Sequence, residues 1–578
     1  MNCELIAIFV PLEKMKAKQK DLLHFVAFVA VAAFICLLAG ELSFRLDLTA
    51  DKRYTLSEAT RKMLREQREL VYVKVYLEGE MPMAMRPLQR AVRDMLEDMK
   101  SCSNAKLHFE LISPSAEKSR EEQEKFYRDL MRRGLLPFTM QEKNAQGGVT
   151  QMDLFPGAIV ALGGRQQAVN FLQQNMQVTV EENVNNAIQN LEYAFISAVE
   201  ALSRKEQKRI AFIEGHGELS AAQVSDVARE LAPYYKLSRV TLGGEVAALS
   251  GYDLAVVAKP TKAWSEADKL ALDQFIMRGG KVAWFIDPVH IHEDSLANGH
   301  ITFGLLNDVN LNDMLFRYGV RVNANVVQDL QCAMIPVNVS PSGMPAKFAP
   351  LPWTYYPLLS ASSGSAISRN LNVVKTEFPG TIDTLSTRDV VKEILLATSQ
   401  HSLVKGAPFY VGLEQVTDDI DPMQYNKKHL PVAVLLQGEF TSIFQHRVLT
   451  MYNNGRPFSF AAKSKPTAQV VVADGDVIRN DVMANGTALP LGYDRYTKQI
   501  LYGNKEFVKN VVSYLTDDNG LMSLRNKVVT LRLLDRVRVV RERNTWITLN
   551  TVAPVVVLVA GGLVFVFLRK RRYARQLK

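Results

Sequence analysis

Apolar residues along this chain fall into two kinds of run. Leu22–Gly40 and Val552–Leu568 are long and nearly unbroken, each about the length that crosses a bilayer core, for which ~20 apolar residues suffice. Everywhere else the runs are short and periodic. In the first half of the intervening chain, Ser57 is placed to cap a polar helix through Arg68, and Val71–Leu77 alternates as a strand does. Leu88, Val92, Met95, Leu96 and Met99 recur at helical spacing, and Lys106–Ile112 is a second strand. Ser115 opens a charged helix that Gly134 ends. Gly157–Leu162 and Gln167–Phe171 flank Gly163-Gly164 as a hairpin, and Glu182–Leu202 is a long helix. The order β-α-β-α-β-β-α predicts a compact α/β domain.

A second pattern follows the basic linker Lys205–Arg209. Ile210–Ile213, Lys236–Leu242, Leu254–Ala258 and Lys281–Ile286 are apolar strands. Between them lie helices with capping pairs Ser220/Gln223 and Ser265/Asp268, the second ending at Gly279-Gly280. Strands alternating with helices predict a parallel sheet covered on both faces. The pattern returns with strand Ala468–Ala473 and helix Lys505–Leu515; the stretch Ile301–Ser464 reads as insertions and edge strands on that sheet. The expected organisation is a tail (1–20), a membrane helix (21–41), an N-terminal α/β domain (42–204), a parallel-sheet domain with insertions (205–525), a juxtamembrane helix (526–545), a second membrane helix (546–568) and a basic tail (569–578).

Charge orients this arrangement. The net charge is +9, and most of it sits in the tails: Lys14, Lys16, Lys18 and Lys20 at one end, Arg569, Lys570, Arg571, Arg572, Arg575 and Lys578 at the other. Basic residues stay on the cytoplasmic side. Both termini are therefore expected there, with Glu41–Asn550 outside and the tails on anionic lipid. The intervening chain is close to neutral, and nothing in it points to nucleic acid. No small-x-small cleavage site follows Gly40, so the first run reads as an uncleaved anchor, with Met15 an alternative start. In the juxtamembrane helix Leu531, Leu533, Leu534, Val537 and Val540 make a narrow stripe among arginines, read as a stalk rather than a helix lying on the interface. Of four cysteines only Cys102 and Cys332 face outward, too few for a disulfide framework.

In open parallel sheets ligands sit beyond the carboxyl ends of the strands, and three polar groups fall there. They are Glu214, His216 and Glu218 in Glu214-Gly215-His216-Gly217-Glu218; Asp287 in Asp287-Pro288-Val289-His290-Ile291-His292; and Asp474 and Asp476 in Asp474-Gly475-Asp476. If they converge they make a ligand crevice. Strand-to-helix turns use Gly, Asp and His for backbone reasons alone, and that plainer reading stands beside the first. No phosphate-binding Gly-x-x-x-x-Gly-Lys-Ser/Thr, no Gly-x-Ser-x-Gly elbow and no Cys-x-x-Cys occurs. No cofactor or metal is expected.

Several stretches together, Phe44–Ser57, Phe212–Leu219, Leu315–Val320, Val471–Asp476 and Pro490–Asp494, resemble the auxiliary, substrate-binding subunits of gliding-motility-associated ABC transporters, the GldG family. The resemblance runs from about Glu41 to the second apolar run. It implies partnership with a permease and a cytoplasmic ATPase, an inner-membrane location with a periplasmic ectodomain, and a second domain like a class I glutamine-amidotransferase sheet that has lost its enzyme residues. The expected function is a non-enzymatic accessory subunit. A scaffold that binds envelope proteins or glycan shares every feature, and a membrane-tethered hydrolase using Glu214, His216 and Asp287 is a third reading.

Overall fold

The computed structural model describes residues 25–31, 33–34, 541–574 and 55–526, the last apart from 80, 115–118, 144–148, 173–177, 205, 293–294, 297–300, 341–343, 363, 418–419 and 449–452. It divides into a body ending at Lys527 and a C-terminal unit beginning at Val528.

The body opens with α1 (Glu58–Glu66), β1 (Val71–Val75), α2 (Arg86–Cys102), β2 (Leu107–Leu111) and α3 (Arg120–Arg132). The hairpins β3 (Phe138–Lys143)/β4 (Val149–Leu154) and β5 (Gly157–Leu162)/β6 (Arg165–Asn170) follow, then α4 (Val180–Ser203). The sheet order is β2-β1-β5-β6, with β1 parallel to β2 and antiparallel to β5. Ser57 caps α1, accepting from the Thr60 N–H at 3.1 Å. Leu88, Val92, Leu96 and Met99 of α2 are buried as their spacing predicts. Gly163 and Gly164 take φ of 55° and 78°, and Leu162 pairs with Arg165, the two-residue turn whose twist suits a hairpin. Two expectations change. Ser119, not Ser115, caps α3, in a reciprocal box with Glu122. The hairpin β3/β4 is additional: Phe138, Met140, Met152 and Leu154 share one face and pack on the first core, an alternation of only two apolar positions per strand beside the core, too short to mark a strand on its own.

The second part of the body begins with β7 (Lys208–Glu214), α5 (Ser225–Leu231), β8 (Tyr235–Thr241), β9 (Leu254–Ala258), α6 (Glu266–Met277) and β10 (Lys281–Phe285). β11 (Val289–His290) follows, and the inserted stretch supplies β12 (Ile301–Leu306), α7 (Asn312–Tyr318), β13 (Val320–Val322), β14 (Asn325–Asp329), β15 (Cys332–Asn338) and β16 (Phe348–Ala361). It continues with β17 (Val374–Lys375), β18 (Ile382–Thr384), β19 (Val390–Ala397), β20 (Ser402–Gly406), β21 (Phe409–Gly412) and β22 (Pro431–Gly438). β23 (Thr467–Val472) and α8 (Asn504–Leu515) return to the first pattern.

The main sheet runs β15-β16-β19-β22-β23-β10-β9-β7-β8. Its parallel half, β8-β7-β9-β10-β23, has the chain order 2-1-3-4-5 of a doubly wound sheet, with a switch point between β7 and β9. The sheet is not parallel throughout. β22, β19, β16 and β15 pair antiparallel, since they arrive by turns and loops rather than by covering helices. The inserted stretch thus extends the sheet as expected, and also builds the small sheets β11-β12-β21, β13-β18 and β14-β20. β9 and β10 are almost wholly apolar and buried, as strands covered on both faces are. Ser265 caps α6 and Gly279 ends it with φ 98°. Ser220 and Gln223 do bond, but across a turn, and α5 starts only at Ser225.

The C-terminal unit contains α9 (Arg543–Ala574). Its stretch Arg543–Arg571 is long and apolar enough to cross a membrane, and among the described residues it alone is so. Residues 25–31 and 33–34 are helical; the rest of the first apolar run, and so the two-pass arrangement, lies outside the described residues. The expected juxtamembrane helix falls largely on 527–540, which also lie outside them.

Candidate functional site

The switch point lies where β7 delivers Glu214-Gly215-His216-Gly217-Glu218. Gly215 and Gly217 take φ of 121° and 77°, angles that favour glycine. They turn the His216 ring inward, where it is 6 % exposed. Nδ1 lies 2.9 Å from Glu218 Oε1, Nε2 lies 3.2 Å from Asp268 Oδ2, and the ring stacks on Trp264 at 3.9 Å between centroids. Burial disfavours the imidazolium, but the bonds to Asp268 and Glu218 outweigh it and raise His216 to about 9. Burial likewise opposes ionisation of Asp268, yet His216, Ser265 and the Gly244 N–H lower it to about 2. Glu214 turns away and pairs with Arg239. The chain itself closes this crevice. Thr261 and Lys262 donate their N–H groups to the His216 carbonyl at 2.9 and 2.8 Å, and a Cβ on Gly217 would lie 2.2 Å from Thr261 Oγ1.

Beyond β10 and β23 the other two groups meet. One carboxylate oxygen from each of Asp287, Asp474 and Asp476 lies within 4.8 Å of the others, a donor set that suits a hard cation. A cation of the chain's own stands there: Lys259 Nζ is 3.1 Å from Asp287 and 2.5 Å from Asp476. Asp287 Oδ1 also accepts from the Gly475 N–H at 2.5 Å. Asp474 accepts from the N–H groups of Asp476 at 2.7 Å and Glu377 at 2.8 Å. Arg479 bridges Asp476 and Glu377 at 2.5 and 2.6 Å, and Lys375 adds a bond to Glu377 at 2.6 Å. Burial, with repulsion from the neighbouring carboxylates, pushes Asp287 and Asp474 up. Burial acts on Glu377 too, but Lys375 and Arg479 hold it far below the usual range.

This second group is tightly packed. Lys259 and Phe378 hold φ of 55° and 56°, a strained conformation for non-glycine residues that surrounding packing must impose. A Cβ on Gly475 would lie 2.6 Å from Lys259 Cβ. Of the six residues read from the sequence, Asp287, Asp474 and Asp476 share one network, His216 and Glu218 share another, and Glu214 stands apart on Arg239. The sequence reading missed Lys259, Glu377 and Arg479, and gave Asp268 only its capping role. The apolar run ending in Ala258-Lys259-Pro260 carried the one available signal, a cation at a strand's carboxyl end. Cys102 and Cys332 are free thiols, and burial raises Cys332 to about 11, which suppresses the reactive thiolate.

No curated protein matches the chain. A solved structure described as the mmIFT52 N-terminal domain aligns over 54 % of this chain and 99 % of its own, at 15 % identity and a TM-score of 0.31, too low to support any argument. Residues 50–161 match a model described as a domain of unknown function, DUF7088. Residues 207–511, more than half of the chain and nearly all of the second part of the body, match the model of ABC transporter auxiliary proteins described as "ABC-type uncharacterized transport system", and the chain belongs to that family.

Proposed function

We propose that this protein is a non-enzymatic accessory subunit of an ABC transporter, of the gliding-motility type its sequence resembles. It is anchored in the inner membrane by two spans, with both termini cytoplasmic and the body periplasmic, and it works beside a permease and an ATPase. The observation that carries this reading is the family match over the main-sheet domain. The absence of a nucleotide-binding motif in the sequence agrees with an ATPase on another chain. We assign Glu214, His216, Glu218, Asp287, Asp474 and Asp476 to holding the strand-end loops together, because each already bonds within the chain: Asp474 through the Asp476 and Glu377 N–H groups, the others through counter-charges. A His216 held between two carboxylates up to about pH 9 has no lone pair to act as a base, which weighs against a hydrolase.

Affinity purification of the tagged full-length chain in mild detergent should recover a permease and an ATPase; recovery of the chain alone would overturn the reading. The closed crevice favours a second reading, an envelope scaffold that binds proteins or glycan. A solute-binding subunit is stabilised by RT ln(1 + [L]/Kd). Thermal unfolding that stays flat across sugars, peptides and lipids would therefore favour the scaffold.

A further inference from the structure

Away from the strand ends, α7, β13 and the loop after β22 enclose an open groove of about 650 Å³, within the volume range of ligand sites. The end of α7 and the start of β13 fall in Leu315–Val320, one of the stretches that carry the family resemblance. Leu315, Tyr318 and Val320 point into the core, whereas Phe316 is 56 % exposed and lines the groove with Arg317. Ile443 adds apolar surface, and Arg321, His446 and Arg447 surround it.

The walls are fixed. Asp273, fully buried, accepts from Tyr318 Oη at 2.8 Å, Ser442 Oγ at 2.7 Å and the Ile443 N–H at 3.3 Å, which ties α7 to the loop. Arg447 stacks over Phe444 at 4.9 Å and pairs with Glu266 and Asp313. Arg321 pairs at 2.5 Å with Asp383, both of them exposed, a bond easily exchanged for another carboxylate. An exposed ring beside arginines on a rigid wall is a standing contact surface, since Arg and aromatic residues dominate protein interfaces.

We propose that this groove docks an extended, acidic segment of a partner polypeptide. An apolar side chain of the segment lies on Phe316 and Ile443, and its carboxylates meet Arg317 and Arg321. Among the charged lining residues Arg317, Arg321 and Arg447 outnumber Asp313, which argues for acidity. The open form argues for a segment lying across it rather than a small solute, which would require most of its surface to be enclosed. The proposal rests on the reading that the chain works in an assembly, but not on which subunit supplies the segment.

Phe316→benzoylphenylalanine in the full-length chain, photolysed in intact membranes, tests it. The crosslinked partner peptide should carry Asp or Glu within about four residues of the link. Its yield should fall about tenfold with Arg317→Glu and recover when the partner's acidic residue is exchanged for Lys. Both positions are exposed, and an unchanged melting temperature of Arg317→Glu checks that the fold is kept. No crosslink, a link to lipid alone, a link to a peptide without acid, or a yield indifferent to Arg317→Glu would each overturn the proposal. So would loss of the link in millimolar inorganic phosphate with the melting temperature raised, which marks a small-anion site. If affinity purification still recovers a permease and an ATPase in any of these cases, the assembly reading stands and only the groove fails.

Discussion

Lys259 and Arg317 are both basic side chains on one α/β body, and burial separates their roles. Lys259 stands among Asp287, Asp474 and Asp476 with its side chain 16 % exposed, and the backbone around it is strained and crowded. Arg317 lies on an open wall beside an exposed phenylalanine. A buried charge interacts strongly because water cannot screen it, so it must be matched inside the fold. An exposed charge contributes little to folding and is free to recognise something else. The same residue types therefore serve as framework at the strand ends and as surface in the groove.

The sharpest way to break this comparison is Lys259→Met, which takes the cation from buried Asp287 and leaves Asp476 only Arg479. It should cost about 3–5 kcal/mol of stability in urea unfolding; an unchanged midpoint would show that the network is not a tie. Gly475→Ala should cost about 1–3 kcal/mol, because its methyl group would collide with Lys259 and Asp287. At φ −77° the backbone accepts alanine, so the effect reports crowding alone.

A pH titration of stability sharpens the framework side further. His216 is raised from its ordinary 6.5 to about 9, so its contribution is complete below pH 6.5 and is lost as pH rises through about 9. The wild type should lose on the order of 1–3 kcal/mol across that window, and His216→Phe should abolish this slope. Asp268, lowered to about 2, contributes above its ordinary value near 3.8 and loses this as pH falls through about 2. At the small end, Phe316→Ala and Arg317→Ala should each shift stability by less than about 0.5 kcal/mol. A loss above about 2 kcal/mol at either would mean that the groove is framework too.

Much of the fold was legible because its signals are local. The Gly163-Gly164 hairpin, the Ser57 and Ser265 caps, the helical stripe of α2 and the strand-helix alternation from Ile210 onward each depend on residues a few positions apart. The hairpin β3/β4 gave only a short signal, Phe138/Met140 and Met152/Leu154 alternating with polar residues, and Ser119 replaced Ser115 as a cap because it has Glu122 in reach. The sites were half legible. Asp287, Asp474 and Asp476 could be placed at strand ends, but not the matching of Asp287 and Asp476 to Lys259, which lies 217 residues before Asp476 in sequence.

By itself the sequence determined most of the helices and strands of the two α/β units, the apolar C-terminal helix and the alternating plan, since backbone preference and hydrophobic period act over one or two turns of chain. Only the tertiary structure decided that the inserted strands turn the sheet from parallel to antiparallel. It also decided that Thr261 and Lys262 close the switch point, and that charges distant in the chain cancel one another at the strand ends. Those outcomes depend on which segments share a buried space. In that space an unpaired charge is costly enough to demand a partner, and nothing in the local sequence says which partner arrives.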